Sequence, residues 1–369
     1  MNILSATKKS KRIFYFDALR AFAILSVIFF HVSTKMMDYI NSYYASNPNM
    51  HWILGAAFYA CTVIGVDIFL MLSGALSLGR EWTIRSFLGK RLPRIVLPFV
   101  FWGAVLSCVL LLVQYILGTP HLVESFSISN IISYIYGAFN STSYGFGPYW
   151  FFWMILGTYL IMPVLNKWLL YSDLKEAEYF LAIWLISCIF DFTINYPFPI
   201  KISYFSGPIG MVVLGYYLRH TKREIFNKAY VPILLLVIGI VSVVGCSYFL
   251  STPTHLFKFE RYSIFIAMEV TGIFLIFRNY LDIDFENNVS KLKITIKKAI
   301  ESIAKYSYGI YLIHYPIMII IIALLKVNGL YSGYFSRFAY LFLITLAISW
   351  IVMGLLNKVP WVNRVIGAK

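Results

Sequence analysis

FYFDALRAFAILSVIFFHV, residues 14–32, is apolar enough for a membrane-spanning helix, yet it carries Asp17, Arg20 and His31. Ionisable groups in hydrocarbon are costly and mark function by default. Arg20 and His31 stand eleven residues apart, so they share a helix face about three turns, or roughly 16 Å, apart along the axis. Asp17 precedes Arg20 by one turn on the same side. The segment therefore reads as a helix with one polar stripe that faces protein or water rather than lipid.

The rest of the chain is of the same kind. Of its 369 residues, 60% are hydrophobic and 13% charged, and mean hydropathy is +0.75. Soluble domains do not reach that balance, so the fold class is an all-α polytopic membrane protein, a single transmembrane domain over 1–369. Ten spans are expected, at about 13–34, 53–78, 95–117, 148–166, 178–195, 205–219, 230–250, 261–279, 305–325 and 337–357. The sixth is short and holds Gly207, Pro208, Gly210 and Gly215. The first carries Asp and Arg and has no small-residue cleavage site, so it reads as a span rather than a signal peptide.

Charge placement orients the bundle. With the N-terminus inside, the cytoplasmic segments hold 24 of the 31 Lys/Arg, the outer loops hold 6, and Arg20 is intramembrane. This bias follows the positive-inside rule and puts both termini in the cytoplasm. It also accounts for the net charge of +15, as basic loops facing the anionic leaflet of a cell membrane. Nucleic acid is not expected as a partner, because the charge is spread over short loops. Cys61, Cys108, Cys188 and Cys246 lie in apolar segments without ligand spacing, and no metal is expected.

Two loops stand apart. Within 118–147, SISNIISYIYGAF suits a short helix at the interface, followed by the turn-rich STSYGFGP. Within 280–304, Leu292, Ile296, Ala299, Ile300 and Ile303 recur at helical spacing opposite lysines, which suits a helix on the cytoplasmic surface. Tyr149, Trp150 and the aromatics after them fit either an interfacial belt or a ring-lined cleft for a sugar.

Several constellations could carry chemistry. His31 is the natural general base near neutral pH. Asp17 joins the same stripe, although an ion pair with Arg20 explains it equally well. Lys90, Arg91 and Arg94 cluster in SFLGKRLPRIVLPF, 86–99. Their fork-shaped and point charges suit phosphate groups, or an inside anchor. Asp67 in GVDIFLMLSG, 65–74, could orient His31. His314 in YSYGIYLIHYPI, 306–317, could bind substrate, and Glu269 could line a cavity.

Together these motifs resemble the acyltransferase 3 family of membrane O-acyltransferases that modify surface glycans and lipids. The first-span Arg20 and His31, the second-span GVDIFLMLSG, Arg91–Leu92–Pro93–Arg94, and YWFF at 149–152 carry the resemblance, with the late YSYGIYLIHYPI. It covers nearly the whole chain and is closest to the stand-alone type without an SGNH domain. The resemblance implies acetyl-CoA, or another acyl-CoA, as the cytoplasmic co-substrate, and a hydroxyl of a glycan or lipid-linked sugar as acceptor. It makes His31 the essential histidine and Arg20, Arg91 and Arg94 the essential cations. A glycan transporter or flippase and a non-catalytic scaffold are the rival readings. A homo-oligomer and a polysaccharide-synthesis complex are both compatible with the sequence.

Overall fold

The computed structural model describes residues 13–44, 57, 61–117, 127–196, 207–250, 257–281, 290–325 and 334–368. The basic residues at 8–12, the start of the second expected span, and Asp282, Asp284 and Glu286 lie outside them.

Helices joined by short turns and loops account for the described residues, with no strand among them. In chain order the main helices are α1 (Phe14–Tyr44), α2 (Gly65–Ser77), α3 (Ile84–Leu117), α4 (Ile128–Phe139), α5 (Trp150–Tyr171) and α6 (Leu174–Ile189). They continue with α7 (Pro208–His220), α8 (Tyr230–Leu250), α9 (Ile264–Tyr280), α10 (Lys291–Leu325) and α11 (Tyr334–Leu356). Backbone groups cannot be satisfied by lipid, and a bundle of helices meets that demand within each segment.

Of the ten expected spans, seven fall on helices long and apolar enough to cross a membrane among the described residues. Within the stretches expected at 53–78, 205–219 and 261–279, the described residues include α2, α7 and α9, of 13, 13 and 17 residues. Two of the three owe their place to burial rather than to lipid contact. α2 and α7 lie against each other with most of their residues buried. A Cβ added at Gly74 would overlap the Val212 carbonyl, and one at Gly215 would overlap Met71. Glycine at both contacts lets the backbones meet, the means by which membrane helices associate without a hydrophobic drive.

Two helices begin earlier than expected. α3 starts at Ile84 rather than near 95, behind a reciprocal cap. The Thr83 N–H donates to Ser86 Oγ at 3.0 Å, and the Ser86 N–H donates to Thr83 Oγ1 at 3.2 Å. The RLPR run is therefore helical, with Pro93 inside it. Likewise the amphipathic stretch 292–303 is no separate surface helix. It is the opening of α10, which runs unbroken for 35 residues. The short helix expected after residue 127 is α4, where Ser127 Oγ accepts from the Asn130 N–H.

One end of the bundle gathers arginines on helix C-termini, where carbonyls lack helical partners and cations are favoured. Arg219 donates to the Ala75 carbonyl, closing α2. Arg278 donates to the Leu218 carbonyl near the end of α7 and to Asn227 Oδ1 at 2.9 Å. Asn166 of α5 exchanges hydrogen bonds with the Arg80 backbone here too. Arg223 grips the Glu178 carboxylate of α6 with two guanidinium nitrogens. We call this the basic end.

The Gly74 contact gives a direct test of the packing. Gly74→Leu is expected to lower stability by about 1–3 kcal/mol through overpacking, read as the midpoint of thermal unfolding in detergent. Gly157→Ala, at a helical site where a Cβ meets nothing within 4 Å, is expected to leave the midpoint unchanged or raised.

Candidate active site

A cavity of about 460 Å³ opens between α1, α2, α3, α5, α10 and the segment after α11. Five cations line it: Arg20, Arg91, Arg94, Lys305 and Arg364; no carboxylate is among its lining residues. Arg20 is held by Asp17, whose carboxylate lies 3.2 Å from Nη1. Arg91 and Arg94, three residues apart, share a face of α3. The Arg91 Nη2 donates to Ser77 Oγ at 3.0 Å, which aims the guanidinium along the wall. The exposed Lys90 is not among the lining residues.

From this basic part the wall continues along α10 through Ser307, Tyr308 and Tyr311. Tyr308 Oη donates to the Ile95 carbonyl at 2.8 Å, and Tyr311 Oη donates to the Pro148 carbonyl at 2.7 Å. Both rings are thereby locked as wall rather than free to fill the space. His314 follows Tyr311 by three residues, about 4.5 Å along the helix.

His314 is fully buried and sits against His31 of α1, with ring centroids 5.2 Å apart. Its Nδ1 lies 2.7 Å from the Tyr311 carbonyl and 3.2 Å from the Ile310 carbonyl. A nitrogen between carbonyl oxygens carries the proton, so Nε2 presents its lone pair. That Nε2 is buried with no hydrogen-bond partner. Tyr315 completes the pocket, 5.1 Å from the His31 ring.

The carboxylates are placed differently from one another. Asp17 is about 21 Å from His31 along α1 and serves Arg20. Asp67, in the first turn of α2, is fully buried, and neither oxygen has a hydrogen-bond partner. His314, Arg261 and Lys35 act electrostatically on His31, and Arg261 acts on Asp67. Glu269 is buried in α9 beside Gly239 of α8, with both oxygens unpartnered. Tyr149 is buried between Phe99 and Phe146, while Trp150 is 38% exposed under the Arg261 guanidinium, 4.8 Å from its ring centroid.

Three residues of this region escaped the sequence reading. Arg261 and Lys305 stand at the first positions of expected spans, where a basic residue reads as a flanking charge. The helical spacing from Lys305 through Tyr308 to Tyr311 was the signal for Lys305. Arg364 had no local signal, because the chain after α11 folds back to reach the cavity.

These features define an all-helical, multi-pass membrane protein with a cationic internal cavity ending beside a histidine pair. A family model described as an acyltransferase domain matches residues 13–354, and the chain belongs to that family, acyltransferase 3. The protein is thus a membrane O-acyltransferase. No curated protein and no solved structure matches the chain significantly.

The cavity separates neighbouring cations. Arg94→Ala is expected to lower acyl transfer in isolated membranes by roughly tenfold or more, through loss of a charge-assisted contact. Lys90→Ala, outside the cavity, is expected to retain transfer within about twofold.

Proposed function

We propose that the protein moves an acyl group, acetyl in the first instance, from cytoplasmic acyl-CoA to a hydroxyl of a surface glycan or lipid-linked sugar. The observation that supports this reading is the continuity of the cavity, which has arginines at one part of its wall and reaches to within one helical turn of the His31–His314 pair. In this reading the basic end faces the cytoplasm of a cell membrane, as the positive-inside bias requires. Arg20, Arg91 and Arg94 hold donor phosphates with fork-shaped donors, and Asp17 keeps Arg20 in place. The volume falls within the range of small-molecule sites and suits the pantetheine arm.

The chemistry then follows from the histidines. With its Nδ1 proton held by backbone carbonyls, His314 keeps an Nε2 lone pair in the pocket it shares with His31, an acceptor that can settle a proton on one His31 nitrogen and leave the other as base. His31 takes the acceptor hydroxyl proton as the oxygen attacks the thioester carbonyl. The C–S bond breaks, the thiolate regains the proton from His31, and an ester and free CoA result. Arg261, half-buried with an unpartnered Nη1 and within electrostatic reach of His31, stabilises the oxyanion that forms on the way. The acceptor sugar enters from the opposite side, beside Trp150 and Tyr315. Asp67 steadies Arg261, and Glu269 borders the acceptor side. Tyr149 acts from behind, as packing under that aromatic patch.

The test is transfer of label from radiolabelled acetyl-CoA to a membrane glycolipid extract by purified protein in nanodiscs. His31→Ala is expected to cut transfer by about 10²–10⁴-fold while the protein stays folded. His314→Ala is expected to lower kcat more than it raises KM, with partial rescue in His314→Gln. Transport of the glycolipid without acetyl-CoA dependence, unaffected by His31→Ala, would establish the flippase reading instead.

A further inference from the structure

The family match ends at residue 354, yet the chain continues past α11 and returns to the cavity. Its path is held at three points. The buried Trp102 indole N–H donates to the Ile366 carbonyl at 3.1 Å. The Ile366 side chain is fully buried. Gly367 adopts φ +84° and lies against Gly309 of α10, where an added Cβ would come 3.0 Å from the Gly309 nitrogen. A Cβ at Gly309 would in turn press on the Ile366 carbonyl at 2.5 Å. Two glycines facing each other across this contact let the segment seat directly on the helix.

Seated there, the segment supplies Arg364, Gly367 and Ala368 to the cavity wall, and α10, against which Gly367 packs at Tyr308 and Gly309, supplies Lys305 to the same cavity. Arg364 is exposed, with its guanidinium 4.6 Å from the Trp361 ring centroid, and Lys305 Nζ lies 5.2 Å from the Tyr306 ring centroid. Among the described residues neither cation pairs with a carboxylate. Five cations and no lining carboxylate make a site for more negative charge than one phosphate monoester carries.

We propose that the C-terminal segment 361–368 is a structural wall of the donor site, and that Arg364 with Lys305 forms a second phosphate subsite beside the Arg20–Arg91–Arg94 group. The ligand class is a donor with several phosphates, so that one cation group holds one phosphate cluster and the tail holds another. This rests on the acyl-CoA reading above and assigns to it Arg364, from beyond the matched family region, together with Lys305 from within it.

Equilibrium binding of coenzyme A to the full-length protein in nanodiscs tests it. Wild type is compared with Arg364→Ala, Arg364→Glu, Lys305→Ala and Lys358→Ala, the last a tail cation outside the cavity. Arg364→Ala and Lys305→Ala are each expected to weaken binding about tenfold, and Arg364→Glu further. Lys358→Ala is expected to bind as wild type does. The loss in Arg364→Ala is also expected to shrink as salt rises. Coenzyme A binding by wild type with equal affinity in Arg364→Ala and Lys305→Ala would overturn the second subsite while leaving the donor reading intact. No binding by wild type would overturn the donor reading itself.

Discussion

A cation inside a membrane protein must meet a counter-charge, a hydrogen-bond acceptor, water or a ligand, because lipid offers none of these. Around the cavity five cations converge, and among the described residues only Arg20 has a carboxylate partner, Asp17 at 3.2 Å. Such a cluster is tolerable where solvent or an anion fills the space, and much of the architecture keeps that space open. Arg91 is steered by Ser77, and Tyr308 and Tyr311 are tied back to the Ile95 and Pro148 carbonyls. The short helices α2 and α7 fill the neighbouring interior, so closely packed at Gly74 and Gly215 that no side chain fits between them.

The same constraint separates two chemistries along one helix. α1 carries Arg20 at the charged part of the cavity and His31 beyond its far wall, on one face. α10 also carries a lining cation, Lys305, and the buried His314, but nine residues, about two and a half turns, separate them, so they leave the helix on opposite faces. Two helices that each bear a cation and, two to three turns on, a histidine give the cleft a charged part and a histidine part. The proposed transfer reaction uses that separation, since a donor held by its phosphates must place its thioester at a distance.

Much of this was legible in the chain. The eleven-residue spacing of Arg20 and His31 placed both on one face, and the RLPR run supplied Arg91 and Arg94, which the structure brings to the same cavity. Periodicity located the helices, but the sequence did not show that α2 and α7 are buried against each other rather than facing lipid. Non-local contacts were beyond reach. Lys90 and Arg91 are adjacent in sequence, yet only Arg91 turns inward. Asp67 lies within electrostatic reach of Arg261, a residue 194 positions away. Arg364 reaches the cavity through glycine contacts at 309 and 367 that no local pattern announces.

The most direct test of the account is a cryo-EM map of the protein with a non-hydrolysable acetyl-CoA analogue bound in nanodiscs. The account requires phosphate density against Arg91, Arg94 and Arg20, with the arm running past Tyr308 and Tyr311 and the acyl carbonyl beside His31. Analogue density elsewhere, with the cationic cavity empty, would contradict it.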